Sequence, residues 1–290
     1  MNSREEGFLL LTSRLGKRDR RPLTVAQLRE LERCVQRSDR PDEDRDLFID
    51  DLVAMGCSEE TAERVISLLD DRLLLHSYVE RGRSNGCAPL TRVTPGYPGK
   101  LHQCLREEAP GGIWCKGDIS LLKRPAVALV GSRDLAAHNA EFARRVGELA
   151  AQYGAALISG NARGADTVAQ ESCLQAGGHV ICVVADSLLR KATRERILYV
   201  SEEGYDLPFH AQRALSRNRL IHSMANVTFV AQCSNGTGGT WSGTCRNLQG
   251  GWSTVYCLRD GSSATAKLYQ MGAHLVNTPD LPSLFEKMTV

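Results

Sequence analysis

The spacing of apolar residues changes near residue 127. Before it, apolar positions recur every third or fourth residue; after it, they gather in short runs separated by longer amphipathic stretches. In the first part, Leu23 to Leu31 sets Val25, Leu28 and Leu31 at helical spacing, with Thr24 as cap and Gln27 three residues on. Asp46 to Met55 makes a second amphipathic run, and Ser58 opens a third whose Ala62, Val65, Ile66 and Leu69 share one face. Residues 5–81 are therefore predicted to form a few short helices in a small bundle, either a contact module or a packing cap on a larger domain. The interval 81–99, with its Gly, Pro and Asn, has the marks of a linker, and Gly112 to Gly117 of an edge strand and turn. This predicts a helical domain over 1–85 and a second domain over 86–290, with 86–125 as linker and lead-in strand.

From Ala126 the pattern alternates between strand and helix. Strands are predicted at 126–130, 155–158, 179–184, 227–231, 254–258 and 273–276, with helices at 139–153, 165–175, 193–203, 216–225 and 264–271 and an extended segment at 207–210. Such alternation predicts an α/β fold with a mainly parallel sheet covered on both faces. Ligands of such sheets sit at the carboxyl ends of the strands, beside helix N-termini.

Composition refines this little. A chain of 290 residues, 42% hydrophobic and 24% charged, can bury one sizeable core and carry a smaller accessory domain. The net charge of +2 permits a nucleic-acid partner without arguing for one. Its ten cysteines are scattered with no Cys-x-x-Cys pair, which favours a reducing compartment over a disulfide framework and gives no zinc site. No apolar run is long enough for a signal core or a membrane span, so a cytoplasmic protein without a membrane anchor is expected.

Three loops carry the candidate chemistry. Gly131-Ser132-Arg133 follows the first buried strand; a glycine turn there leaves its amides open to an anion, and a guanidinium adds charge-assisted bonds. Ser159 to Asp166 repeats the device, with Gly160 and Gly164 allowing close backbone approach, Arg163 projecting, and Asp166 suited to capping the following helix. The third loop, Gly236 to Thr240, offers amides and hydroxyls through Gly238 and Thr240, but it lacks the lysine of a nucleotide-triphosphatase loop. Arg217-Asn218-Arg219 places two cations on different faces of a helix start, so that one can hold a ligand and the other a neighbouring loop. Trp241 has two readings, a base-stacking platform or core packing. No nucleophile and base pair, no paired carboxylates and no metal-ligand cluster stand out. Binding without catalysis, metal or cofactor is the economical reading.

Tyr97-Pro98 and Leu101, Trp114-Cys115-Lys116-Gly117, Val127 to Arg133, Ser159 to Asp166, Phe209, and Ser216 to Ile221 occur in a recognisable order. Over about Tyr97 to Val276 the chain resembles the bacterial DNA-processing protein family, called DprA or Smf, which is related to the lysine-decarboxylase-like nucleotide hydrolases. The resemblance implies an extended Rossmann-like fold and binding of single-stranded DNA with little base preference. It also implies protection of incoming strands in natural transformation, delivery of the recombinase RecA, and pairing of two copies through the Rossmann-like domain. Carried over residue by residue, it points to Ser132, Arg133, Gly160, Arg163, Gly164, Arg217, Asn218 and Arg219 as DNA contacts.

The chain departs from the family pattern at Asn161, at Ala165 and at Ala185-Asp186-Ser187, and a member without the carboxyl-terminal winged helix is expected. A divergent member can use the same scaffold otherwise. The alternative reading is a sensor or hydrolase of a nucleotide-derived small molecule, in defence against foreign DNA.

Overall fold

The computed structural model of the chain describes residues 1–38 and 47–288. Its centre is one nine-stranded sheet. In chain order the strands are β1 (Cys87–Thr91), β2 (Gly112–Gly117), β3 (Ala126–Val130), β4 (Ala156–Ser159), β5 (His179–Val183), β6 (Ile197–Ser201), β7 (Val227–Val230), β8 (Thr254–Leu258) and β9 (His274–Val276). Across the sheet they lie in the order β1-β2-β6-β5-β4-β3-β7-β8-β9. Every pairing from β6 to β9 is parallel, and β1 and β2 add an antiparallel margin. The chain runs outward from β3 through β4 and β5 to β6, then returns to place β7 on the other side of β3. That reversal opens a crevice at the carboxyl ends of β3 and β7.

The side-chain period of a strand explains why both faces are covered. Val127, Leu129, Leu157, Val180, Cys182 and Phe229 enter one cluster, while Ala128, Val130, Ile158, Ile181 and Val183 enter the other. The helices, numbered in chain order, are α1 (Ser3–Thr12), α2 (Val25–Arg37), α3 (Ile49–Ala54), α4 (Glu59–Leu69), α5 (Arg72–Ser84), α6 (Gly99–Leu105), α7 (Ala137–Gln152), α8 (Ala165–Gln175), α9 (Ala211–Ser216), α10 (Asn218–Met224), α11 (Gly238–Gly250), α12 (Ser263–Gln270) and α13 (Leu281–Met288). Helices α7, α8 and α13 pack on the first face, with Phe142, Val146 and Phe285 inward, whereas α6, α10 and α12 pack on the second through Leu101, Leu220 and Leu268.

The helical front part divides. Helices α2, α3 and α4 close a cluster of their own around Leu31, Leu52 and Val65, and α2 carries the predicted Thr24–Gln27 capping box. Helices α1 and α5 instead share the core of the sheet through Leu9, Leu10, Leu75 and Tyr78. The seam is aromatic: Tyr78 stacks on Tyr205 at 4.5 Å and meets the edge of Trp114 at 5.2 Å. Gly82 makes room for it, since a Cβ there would lie 2.9 Å from the Tyr205 ring. Asp206 accepts from the Tyr78 hydroxyl at 2.7 Å and from Arg81 Nη2 at 2.6 Å.

Several elements differ from expectation. The helix predicted over 193–203 is instead strand β6, because Leu198, Tyr199 and Val200 are paired with both β5 and β2, Ile197 is paired with β5, and all four are buried. The predicted linker at 81–99 holds the end of α5 and strand β1; consequently β2 lies inside the sheet rather than at its edge. In the run predicted over 46–55, Asp46 lies outside the described residues and α3 covers Ile49–Ala54. Helices α11 and α13 lie in no predicted element: Gly238 to Thr240, read as loop, form the first turn of α11, and Pro282 sits in the first turn of α13, where its missing N–H costs nothing.

Arg20 ties the ends of two front helices. Its buried guanidinium donates from Nη2 to Leu10 O at 2.7 Å and Leu68 O at 3.1 Å, from Nη1 to Ser13 O, and from Nε to Asp71 Oδ2 at 2.7 Å. These carbonyls belong to helix ends that have no intrahelical donor. Arg20→Leu is expected to lower stability by about 2–3 kcal/mol, read from urea denaturation of the full chain followed by circular dichroism.

Candidate functional site

Three loops converge above the crevice, and each is held by the next. After β3, Gly131 must lack a side chain because a Cβ would lie 2.5 Å from the Ala165 methyl. Gln232, the first residue beyond β7 and Ala231, organises this loop. Its carbonyl accepts from Ser132 N at 2.9 Å and Ser132 Oγ at 3.3 Å, its Oε1 accepts from Ala136 N at 3.0 Å, and its Nε2 donates to Asp134 O at 3.3 Å. The Thr240 hydroxyl donates to Gly131 O at 3.0 Å and so fastens the third loop to the first.

The second loop, after β4, wraps the start of α8. Buried Asp166, in the first turn of α8, accepts from Gly160 N at 3.0 Å and Ala162 N at 3.1 Å through Oδ2; it ties down the preceding loop rather than capping the helix as the sequence suggested, since the cap position is Gly164 and makes no side-chain bond. Gly164, at φ +87°, presses against the first loop, where a Cβ would meet Arg133 O at 2.4 Å. Arg217 Nη2 donates to Gly160 O at 2.9 Å, and a Cβ on Gly160 would sit 1.9 Å from Arg217 Nη1. Burial pushes the Asp166 carboxyl above its usual range even though Arg217 and the two amides pull it down; burial likewise lowers the Arg217 guanidinium, against the pull of Asp166. The Arg217 Nε is buried without a partner.

Between the loops lies a cavity of about 560 Å³. Arg133, Arg217 and Asn218 line it together with Gly238, Gly239 and Thr240 at the start of α11. Thr237 caps α11 with no side-chain hydrogen bond, leaving the helix N-terminus open to the cavity. Asn218 Nδ2 donates to Gly239 O at 3.0 Å and sets the angle of that turn. Phe209 and Leu215 form an apolar wall at the mouth and are 57% and 51% exposed. Arg133 is exposed and makes no hydrogen bond or ion pair with any described residue.

The predicted set is thus partly assembled. Gly131, Ser132, Arg133, Arg217, Asn218, Gly238 and Thr240 line the cavity. Gly160 and Gly164 lie behind it and hold its loops. Arg163 stands at the rim, paired at 2.8 Å with Asp134; both side chains are largely exposed, so the pair contributes little and is easily exchanged. Arg219 must be removed from the cluster. It turns to the other side of α10, where its guanidinium grips Glu202 and reaches Glu108 O at 3.4 Å. Trp241 is half-buried against the second core and does not line the cavity.

Gln232, Phe209 and His222 are among the lining residues that sequence reasoning did not assign. Gln232 had a signal, the first polar position after a buried strand, equivalent to Ser132 after β3. Among the described residues no group of three or more His, Cys, Asp or Glu side chains is placed to hold a metal, and no helix is long and apolar enough to cross a membrane.

A family model described as DNA recombination-mediator protein A matches residues 89–284. The chain belongs to this family. It is 28% identical over 200 residues to Protein Smf of Escherichia coli, and 30% identical over 200 residues to the DNA processing protein DprA of Streptococcus pneumoniae. Those matches take in 63% of this chain and 52% and 68% of the relatives, so the match spans about half of the Escherichia coli protein. The solved structure of the Streptococcus pneumoniae protein superposes with TM-score 0.67 at 24% identity, covering 90% of this chain and 98% of that one. A structure of DNA processing protein A from Helicobacter pylori, described for its single-stranded DNA binding mode, gives TM-score 0.59 at 23% identity over 70% of this chain and 96% of that one. These two share the α/β fold of this family member.

The contact between Gly160 and Arg217 can be tested directly. Gly160→Ala should expel the guanidinium from beneath the second loop and cost about 1–3 kcal/mol, seen as a lowered thermal midpoint.

Proposed function

We propose that the cavity binds single-stranded DNA through its sugar-phosphate backbone, without catalysis. The observation that carries this reading is the unpaired Arg133 guanidinium facing the uncapped N-terminus of α11 across a cavity at the carboxyl ends of β3 and β7. Both elements attract a phosphate: a helix N-terminus offers unbonded amides and a favourable dipole, and a guanidinium adds charge-assisted bonds. Arg217 contributes positive charge from below, and Ser132, Asn218, Gly238 and Thr240 complete the polar wall. Arg163 joins from the rim by exchanging Asp134 for a neighbouring phosphate. Phe209 replaces Trp241 as the aromatic surface on which a base stacks.

Family membership supports the wider reading. The single-stranded DNA described for the Helicobacter pylori relative is the ligand class proposed here. Pairing with a second copy through the sheet domain, transfer of the strand to RecA and a role in transformation extend the proposal on the strength of the family. A second reading, a nucleotide-derived small molecule, is favoured by the size of the cavity, since about 560 Å³ suits a single nucleotide.

A titration of labelled single-stranded oligonucleotides of increasing length, at two salt concentrations, separates the two. Backbone binding predicts affinity that grows with length and falls with salt. Arg133→Ala should weaken it about tenfold and reduce the salt slope by about one. A mononucleotide bound as tightly as the longest strand supports the second reading, and full affinity in Arg133→Ala removes this cavity from the interface.

A further inference from the structure

His222 stands on α10 at the base of the cavity, 1% exposed, and the loops above make no hydrogen bond to it. Its surroundings decide where its proton sits. Ser253 N donates to Asn247 Oδ1 at 3.0 Å, which fixes the amide so that Nδ2 is the donor end. Asn247 Nδ2 then donates to Ser253 Oγ at 2.9 Å and faces His222 Nδ1 at 3.3 Å. A proton on Nδ1 would point at an N–H, so Nδ1 is the acceptor. The Thr228 hydroxyl, 3.3 Å from Nδ1 and 2.7 Å from Ser253 Oγ, is compatible with this, since it can turn its proton to either side.

The remaining ring nitrogen therefore carries the hydrogen. Nε2 has no partner among the described residues; it lies beside α11, where a Cβ on Gly243 would come within 3.1 Å of it, and the ring borders the cavity. Burial holds the ring neutral, pushing its pKa down to about 3, with the Arg217 charge acting in the same direction.

We propose that His222 is a further ligand-binding residue, a neutral Nε2–H donor fixed in one tautomer by Asn247 and aimed at an oxygen acceptor of the bound ligand, a phosphate oxygen. The proposal rests on the reading of this cavity as a phosphate-binding site. Its chemistry complements the rest of the site. Arg133 attracts phosphate through long-range charge, whereas a neutral, buried donor rewards only an acceptor atom brought to one place. Asn247 is a positioning residue: it touches no ligand and acts by setting the tautomer.

The test uses the full chain and a labelled oligothymidylate. His222→Leu removes the donor and should weaken binding about tenfold. His222→Gln, whose amide can present an N–H near the same point, should recover most of that loss. Ring nitrogen shifts of labelled wild-type protein give a second reading that needs no variant: free protein should show the proton on Nε2, and saturation with the oligonucleotide should move the Nε2 signal. A proton on Nδ1, an Nε2 signal unmoved in the saturated complex, or wild-type affinity in a folded His222→Leu overturns the proposal while leaving the DNA reading intact. No oligonucleotide binding by wild-type protein overturns both.

Discussion

A guanidinium buried beneath a glycine holds this site together. Arg217 lies under the second loop, close enough to Gly160 that no side chain fits at that position, and its Nη2 supports the Gly160 carbonyl. Asp166 supports the same loop from the other side by taking the Gly160 and Ala162 amides. A buried carboxylate and a buried guanidinium each lose hydration, and each would be unfavourable alone. Together they fix the loop between them, and the loop in turn presses Gly164 against Arg133 and so fixes the first loop. The Nε of Arg217 is buried with no hydrogen-bond partner among the described residues, so part of the cost of burying this guanidinium is left uncompensated.

The site depends less on the number of arginines than on which of them are already occupied. Arg219 is neutralised by Glu202, Arg163 is loosely paired with Asp134, Arg217 is half structural, and Arg133 is unpaired. Net charge near neutrality is therefore compatible with a locally positive cavity. The polarity is graded from the free cation at the lip, through the open helix end of α11, to the neutral imidazole at the base.

The helical front part reaches this site indirectly. Tyr78 and Arg81 of α5 bind Tyr205 and Asp206, residues that lead into the extended segment carrying Phe209 to the mouth of the cavity. Because Gly82 lets α5 settle against Tyr205 and Trp114, the position of that segment is fixed by packing against the front helices as well as by the sheet. A helix with no residue in the cavity thereby takes part in shaping its apolar wall.

The sequence by itself determined the repeating strands and helices from Ala126, the parallel sheet, the Thr24 cap, and the placing of Gly131, Ser132 and Arg133 at a strand end. Those features are local: they follow from residue period, from glycine's freedom and from the polar residue that ends an apolar run. Tertiary structure decided what required distant partners. Ile197 to Val200 became a strand because β5 and β2 offer backbone on both sides, overriding a helix-like context of charged neighbours. The spacing put Arg217 and Arg219 on different faces, but which of them stays beside the cavity was decided by Gly160 on one side and Glu202 on the other. Gln232 was marked only as the first polar position after a buried strand; its bond to Ala136, like the contact of His222 with Asn247, joins segments remote in sequence and leaves no trace in local spacing.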